Sequence, residues 1–273
     1  MAEQDFLTDA DFELYRTLIY NESGITFTPT NRSILESRLK EQLRQKGLSS
    51  VKEHYTKITR DQGELKGFLD SITTNLTRFF RNQAQFDAME HFVIPELMNI
   101  KRASGSTTIK IWSAGCSTGE EPYTIAMMMN DILPMGWKYE IVASDISLNC
   151  LMTAKSGYYK DSQIVGIPEN YLKKDFDKAE GGYQIQSDLM SKIRFDYHNL
   201  KNDSGMRGLD LVFCRNVIIY FDEVAQAAVI NRFYDAMASK SFLFIGHSES
   251  LFGMNTKFEF VKTEWATLYR KVI

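Results

Sequence analysis

Residues 109–123, IKIWSAGCSTGEEPY, constrain the fold more than any other stretch of the chain. The stretch begins with apolar, β-favouring residues and continues through small residues that include Gly115 and Gly119. It ends with acidic residues and a proline, which are typical of the first turn of a helix. A strand that leads through a glycine-containing turn into a helix is the first unit of a nucleotide-binding α/β domain. The stretch therefore predicts a nucleotide or nucleoside site at the turn.

The charges of this turn narrow the choice of ligand. No Lys-Ser or Lys-Thr pair follows the glycines, so the turn is not a P-loop. The predicted helix opens with Glu120 and Glu121, whose carboxylates would repel a pyrophosphate but attract an ammonium group. The sequence thus favours a nucleoside with a cationic tail over a dinucleotide.

Composition excludes several classes of protein. The chain has 273 residues, 44% of them hydrophobic and 25% charged, which are ordinary values for a globular protein with a sizeable core. Its formal net charge of −3 lacks the basic excess of most nucleic-acid-binding proteins, so no nucleic-acid partner is expected. The three cysteines are far apart in sequence, which is typical of a reduced, cytoplasmic protein. No basic leader or apolar run of membrane length is present, so we expect no membrane insertion.

The order of predicted elements indicates two domains. Residues 9–72 have helical patterns, and strands alternate with helices from residue 109 onward. This alternation predicts a doubly wound parallel sheet. We expect its strands at residues 109–113, 139–145, 193–197, 209–214 and 241–246, with a terminal antiparallel hairpin at 258–262 and 266–270. We predict a helical domain at 1–72 and an α/β domain at 73–273, with an insertion of small helices and a hairpin at about 157–192.

Polar side chains follow several of the predicted strands. In an open α/β sheet the ligand lies at the carboxyl ends of the strands. Asp145 follows the second strand and can accept hydrogen bonds from both ribose hydroxyls. Asn199 and Leu200 offer an amide and an apolar surface for adenine, and Arg215 and Asn216 would face the reacting group. Each could instead be a helix cap, a turn residue or a solvated loop, but together they favour a single site.

The second predicted helix carries a local excess of positive charge. Between residues 32 and 46 there are five basic residues and two acidic ones, in a chain whose total charge is negative. Such a run is most often a solvated face. The alternative is a surface that docks an acidic protein, and the helix by itself leaves both interpretations open.

Five segments, in the same order as in a known family, carry a resemblance over essentially the whole chain. The chain resembles the bacterial chemotaxis receptor glutamate O-methyltransferases, the CheR family. This resemblance implies a Rossmann-like class I S-adenosylmethionine-dependent methyltransferase domain, a small all-helical N-terminal domain for receptor docking and a small hairpin insertion. The matching segments are TTNLTRFFR (73–81), WSAGCSTGEEPY (112–123), ASD (143–145), FCRNVIIYFD (213–222) and GHSE (246–249).

The resemblance also implies roles near the amino-acid end of the cofactor. Arg81 would bind its carboxylate, which an arginine fork can do through two hydrogen bonds. Asn75 and Thr77 would line the same cofactor. Gly115 would contribute its backbone, and Glu121 would receive the ammonium group.

Further roles follow from the resemblance for the remaining matched positions. Asp145 would hold the ribose, and Tyr220 would lie near the transferable methyl group. Asn199, Leu200, Arg215 and Asn216 would surround the adenine and the sulfonium side. Arg38 and Arg44 would contact the receptor, which favours the docking interpretation of the basic helix.

The implied reaction methylates glutamates of chemoreceptor cytoplasmic domains and releases S-adenosylhomocysteine. A glutamate has a reference pKa of about 4.3, so its carboxylate is already nucleophilic at neutral pH. We therefore expect no catalytic dyad and no metal, and the four histidines have no ligand spacing. Two alternatives remain open: methylation of another substrate on the same fold, and a non-catalytic cofactor-sensing module.

Overall fold

The computed structural model describes residues 6–73 and 75–273. Residues 1–5 of the predicted helical domain and Thr74 of the 73–81 segment lie outside the described residues. The described chain before residue 74 folds into the expected helices, which are α1 (Asp9–Ser23), α2 (Arg32–Lys46), α3 (Val51–Arg60) and α4 (Gln62–Ile72). The side chain of Thr8 caps α1 by accepting from the N–H of Asp11, and Gly24 ends this helix in a left-handed conformation.

Apolar side chains from all four helices form one core in this region. Tyr15, Leu35 and Phe68 are among its buried members. His54 lies in the same core, stacked on Tyr15 with its Nδ1 2.8 Å from the tyrosine hydroxyl. The region therefore has its own apolar core, consistent with the helical patterns of its sequence.

The helices and strands of residues 75–273 alternate as predicted. A π-helical turn at Met89–Val93 joins the two helices before the first strand, which end at Ala88 and begin at Ile94. The helices are α5 (Gln83–Ala88), α6 (Ile94–Ala103), α7 (Glu120–Ile132), α8 (Leu148–Ser156), α9 (Glu169–Asp175), α10 (Ser187–Met190) and α11 (Glu223–Ala236). The strands are β1 (Thr108–Ala114), β2 (Lys138–Asp145), β3 (Tyr158–Lys160), β4 (Phe176–Ala179), β5 (Gly182–Ile185), β6 (Ile193–Tyr197), β7 (Leu209–Cys214), β8 (Met237–Ile245), β9 (Glu259–Lys262) and β10 (Thr267–Lys271).

Seven of the described strands form the main sheet, in the order β6-β2-β1-β7-β8-β10-β9. The first five in this order are parallel, whereas β10 is antiparallel to both β8 and β9. The predicted parallel sheet with a terminal antiparallel hairpin is therefore confirmed. From β1 the chain moves to β2 on one side and returns to β7 on the other. The carboxyl ends of β1 and β7 thus flank the topological switch point, where such sheets bind ligands.

The insertion contains more strand than expected. Its described residues form a three-stranded antiparallel sheet in the order β3-β5-β4, with α9 and α10 nearby in sequence. Gly182 lies in β5, where a Cβ would lie 2.2 Å from the carbonyl oxygen of Tyr159. The glycine thus permits the close approach of β3, which the sequence pattern did not show. Within the described residues, no helix has the length and apolar character needed to cross a membrane.

Candidate active site

A cleft opens at the switch point, between the carboxyl ends of the strands, the 75–81 segment and the helical region. It contains about 1300 Å³ of empty space that is continuous with solvent. Every residue predicted for the cofactor and the reaction lines this cleft, although the residues come from separate parts of the chain. They are Asn75, Thr77, Arg81, Gly115, Glu121, Asp145, Asn199, Leu200, Arg215, Asn216 and Tyr220.

Glu121 supplies a carboxylate at the floor of the cleft. Its Oε1 accepts a hydrogen bond of 2.7 Å from the Ser113 hydroxyl, and its Oε2 lies 3.4 Å from Nε of Arg215. Burial raises the pKa of Glu121, whereas the positive charge of Arg215 and the serine hydrogen bond act in the opposite direction. Glu120 is buried outside the cleft lining and accepts a 2.6 Å hydrogen bond from Thr118. Only the second of the two predicted carboxylates therefore faces the cleft.

Asp145 ends β2 and is held by main-chain groups. Its Oδ2 accepts from the N–H of Ser117 at 2.7 Å, and its Oδ1 accepts from the N–H of Ser147 at 2.8 Å. Burial raises its pKa, and these N–H groups lower it. Each carboxylate oxygen can accept more than one hydrogen bond, so the oriented pair retains acceptor capacity for two hydroxyl groups.

Two arginines place positive charge beside Glu121. The side chain of Arg215 is only 3% exposed, and its Nη2 donates to the carbonyl oxygen of Arg81. Nη1 of Arg81 in turn donates to the carbonyl oxygen of Leu76 at 2.8 Å. Burial lowers the pKa of Arg215, and the neighbouring Glu121 raises it. Nη1 of Arg215 is buried and has no hydrogen-bond partner among the described residues, so the cleft retains donor capacity.

Gly115 brings two strand ends into contact. Its φ is +80°, and a Cβ at this position would lie 2.5 Å from Cγ2 of Val217, in the loop after β7. The main-chain N–H groups of Gly115 and Cys116 both donate to the carbonyl oxygen of Ser144. The family resemblance implies a backbone contact between Gly115 and the cofactor. Packing against the loop after β7 already requires a glycine at this position.

The arrangement of the cleft and the sequence of the chain together identify the protein family. Residues 75–267 match the family described as CheR methyltransferase, SAM binding domain, and residues 10–73 match CheR methyltransferase, all-alpha domain. The chain belongs to the CheR methyltransferase family. Membership confirms the predicted class of enzyme, an S-adenosylmethionine-dependent methyltransferase, and the predicted combination of an α/β domain with a helical one.

Chemotaxis protein methyltransferases from three bacteria match this chain over most of their length. The chain is 35% identical to the chemotaxis protein methyltransferase of Borreliella burgdorferi over 253 residues, which cover 89% of each chain. It is 34% identical to that of Escherichia coli over 269 residues, covering 94% of this chain and 90% of the relative. The chemotaxis protein methyltransferase 2 of Vibrio cholerae is 31% identical over 273 residues, covering 97% and 94%.

Asn199 and Tyr220 join the CheR cleft to the helical region. The amide nitrogen of Asn199 donates to the carbonyl oxygen of Glu22 at the end of α1, at 2.6 Å. The carbonyl oxygen of Tyr220 accepts from the N–H of Thr26 at 2.8 Å. Asn199 was predicted to face adenine, but its NH₂ group is used to hold the helical region. Leu200 beside it is 8% exposed and forms an apolar wall.

Sequence reasoning missed that the helical region closes one side of the cleft. The connection between α1 and α2 pairs with the loop after β7 through a β-bridge between Ile25 and Phe221. No local pattern in the sequence showed what this connection packs against. The helical-region residues that line the cleft are Ser23, Ile25, Thr26, Phe27, Asn31, Ile34, Ile72 and Thr73.

The predicted docking arginines lie outside the cleft, on the exposed surface of α2. Arg44 forms an ion pair with Glu41, and its side chain is 77% exposed. Arg38 is exposed and forms no ion pair with the described residues. Ile34, which lines the cleft, is four residues before Arg38, so the two side chains are neighbours on the helix surface, roughly 6 Å apart along its axis. The basic surface of α2 therefore begins at the rim of the cleft.

Proposed function

We propose that the protein methylates glutamate side chains of chemoreceptor cytoplasmic helices, using S-adenosylmethionine and releasing S-adenosylhomocysteine, for sensory adaptation. The observation that carries this proposal is the meeting of Glu121, Asp145 and Arg81 in one cleft of a CheR family member. The relatives that match over most of their length are chemotaxis protein methyltransferases.

The donors and acceptors of the cleft fit the proposed cofactor. Glu121 would accept from its ammonium group, and Arg81 would donate to its carboxylate. Asp145, oriented by two main-chain N–H groups, would accept from the ribose hydroxyls. Leu200 would cover one face of the adenine, and Asn75, Thr77 and Asn216 would complete the wall.

The chain acts mainly by orientation and by excluding water. When bound, S-adenosylmethionine supplies a methyl group on a sulfonium, and the electron pair of its C–S bond leaves on a neutral thioether. The guanidinium of Arg215 favours the ionised form of Glu121 and so opposes the effect of burial on the pKa of this carboxyl group. We propose that Tyr220 and Arg81 act beside the reacting groups, positioning the substrate carboxylate and the cofactor.

Positive charge favours an anionic substrate. Arg78 is exposed and lines the cleft, and Arg38 and Lys40 extend the basic surface along α2. An acidic receptor helix would be attracted to this surface and would present its glutamate at the cleft. We propose Arg38 and Arg44 as docking residues on the same ground, and we expect the protein to act in the cytoplasm without nucleic acid.

We propose that the reaction needs no metal. Its nucleophile is already ionised and its leaving group departs as a neutral thioether, so no Lewis acid is required. Within the described ranges, no cluster of three His, Cys, Asp or Glu residues is arranged to hold a metal ion. Full activity after exhaustive treatment with a chelator is the expected result.

The decisive experiment supplies S-adenosylmethionine with a labelled methyl group to the protein and a chemoreceptor cytoplasmic fragment. Label that enters the receptor and is released by mild base is expected, because methyl esters hydrolyse readily. Replacement of the receptor glutamates by alanine should prevent labelling. Labelling of RNA or a small molecule, but not of the receptor, would favour the alternative substrate class. Tight cofactor binding without any labelling would favour a sensing module.

A further inference from the structure

The carboxylate of Glu249 accepts hydrogen bonds from three main-chain N–H groups, one of which belongs to the cleft residue Asn216. Glu249 follows β8, and no role was predicted for it from sequence. Its Oε2 accepts from the main-chain N–H of Gly246 and, at 2.9 Å, from that of Asn216. Its Oε1 accepts from the N–H of Ile219 at 3.2 Å. One side chain thus forms hydrogen bonds with both the end of β8 and the loop that follows β7.

The backbone on both sides is shaped around this carboxylate. Asn216 has a φ of +58°, a left-handed conformation that asparagine adopts more readily than most other residues with a side chain. A Cβ at Gly246 would lie 2.6 Å from Oε2 of Glu249 and 2.8 Å from the nitrogen of Asn216. Both features are consistent with a built binding site for the carboxylate of Glu249.

The segment that Glu249 holds carries cleft residues. Arg215 and Asn216 precede the 3₁₀ turn Ile218–Tyr220, and Arg215, Asn216 and Tyr220 all line the cleft. Glu249 itself does not line the cleft. Glu249 can therefore influence the reaction through the segment that it holds and, at longer range, through its negative charge near Glu121 and Arg215.

We infer that Glu249 is a positioning residue, which holds residues 215–220 in the conformation that presents Arg215, Asn216 and Tyr220 to the cofactor. This inference rests on the proposed function for the identity of the cofactor. A carboxylate suits the role because it can accept all three N–H groups at once. A glutamine has the same size but loses the charge, and its NH₂ group would face one of these N–H groups as a second donor.

The first test measures amide hydrogen exchange in the ligand-free protein. In Glu249→Ala the amides of Asn216 and Ile219 should exchange at least about tenfold faster than in the wild type, because their acceptor is gone. Glu249→Gln should give an intermediate increase, and it keeps the test valid if the alanine variant does not fold. Glu259→Gln, which changes an exposed glutamate of β9, is the matched control and should leave these amides unchanged. Unchanged exchange in both Glu249 variants would overturn the inference.

The second test measures calorimetric binding of S-adenosylhomocysteine, which does not depend on a receptor. Glu249→Gln should weaken binding about tenfold, since charged hydrogen bonds that orient the site are lost. In a double-mutant cycle with Asn216→Ala, the fold-loss of affinity in the combined variant should be smaller than the product of the fold-losses in the two single variants. If the loss of affinity in the double variant equals the product of the two single losses, or if Glu249→Gln binds like the wild type, positioning through Asn216 would be contradicted. Failure of the wild type to methylate receptors would instead overturn the proposed function and leave both of these measurements interpretable.

Discussion

The cleft and the surface of α2 both carry charged residues, but they hold them in different ways. In the cleft, Asp145 is 7% exposed and fixed by two main-chain N–H groups, and Arg215 is paired with Glu121. On α2, Arg44 is mostly exposed and pairs with a residue of its own helix. Buried charges interact strongly because little solvent screens them, whereas exposed charges are screened by water and salt. Substitutions in the cleft should therefore have large, specific effects, and those on α2 smaller effects that depend on salt.

The largest effect is expected from Arg81→Ala. Loss of the guanidinium would leave the cofactor carboxylate without its proposed partner, and we expect affinity for S-adenosylmethionine to fall about 100-fold or more. Titration calorimetry measures the affinity, and circular dichroism checks that the fold is retained. Arg60→Ala, at the exposed end of α3, serves as the control. Wild-type affinity in Arg81→Ala would remove the assigned role of this residue.

Tyr220→Phe should have the next largest effect. The variant keeps the ring and loses only the hydroxyl, so cofactor affinity should change less than about threefold while kcat falls roughly tenfold or more. Single-turnover methylation of a receptor fragment separates the two quantities. An equal loss in affinity and rate would place Tyr220 with the cofactor-binding residues, and an unchanged rate would exclude it from the reaction.

Charge reversal on α2 should have a moderate effect. Arg38→Glu should lower kcat/KM for the receptor about tenfold at low salt, with less effect at high salt, and should leave cofactor affinity unchanged. Arg44→Glu should have a smaller effect, because Glu41 already offsets the charge of Arg44. Arg60→Glu makes the same change of charge elsewhere on the helical region and should leave kcat/KM for the receptor almost unchanged. Receptor methylation at wild-type rates in both α2 variants would show that this helix is a solvated face.

A further effect, on stability and not on activity, should be a pH dependence in the helical region. Burial lowers the pKa of His54 to about 4, whereas an unfolded chain takes up this proton near its ordinary value of about 6.5. Between these values the unfolded state binds more protons, so stability is full above about pH 6.5 and declines toward pH 4. Urea unfolding from pH 7 to 4 should show a shallower decline for His54→Gln than for the wild type. His91→Gln, at an exposed position, should follow the wild type.

The family resemblance and the strand-end rule predicted most of the cleft. Periodicity and turn chemistry are local, so they identified the parallel sheet and its terminal hairpin. Parallel strands end at the same edge of a sheet, which is why the sequence predicts Asp145, Asn199 and Arg215 close together. The sequence itself therefore determined the order of the elements along the chain and the direction of the strands in the main sheet.

Tertiary structure alone decided the details that depend on contacts between distant residues. It used the amide of Asn199 to hold the helical region. It placed the α1–α2 connection against the loop after β7, and it brought the carboxylate of Glu249 to the main-chain N–H of Asn216. These choices follow from packing and from the need to satisfy buried polar groups, and both depend on which surfaces meet. A local sequence pattern carries no information about its distant partner, so these contacts became visible only in the folded chain.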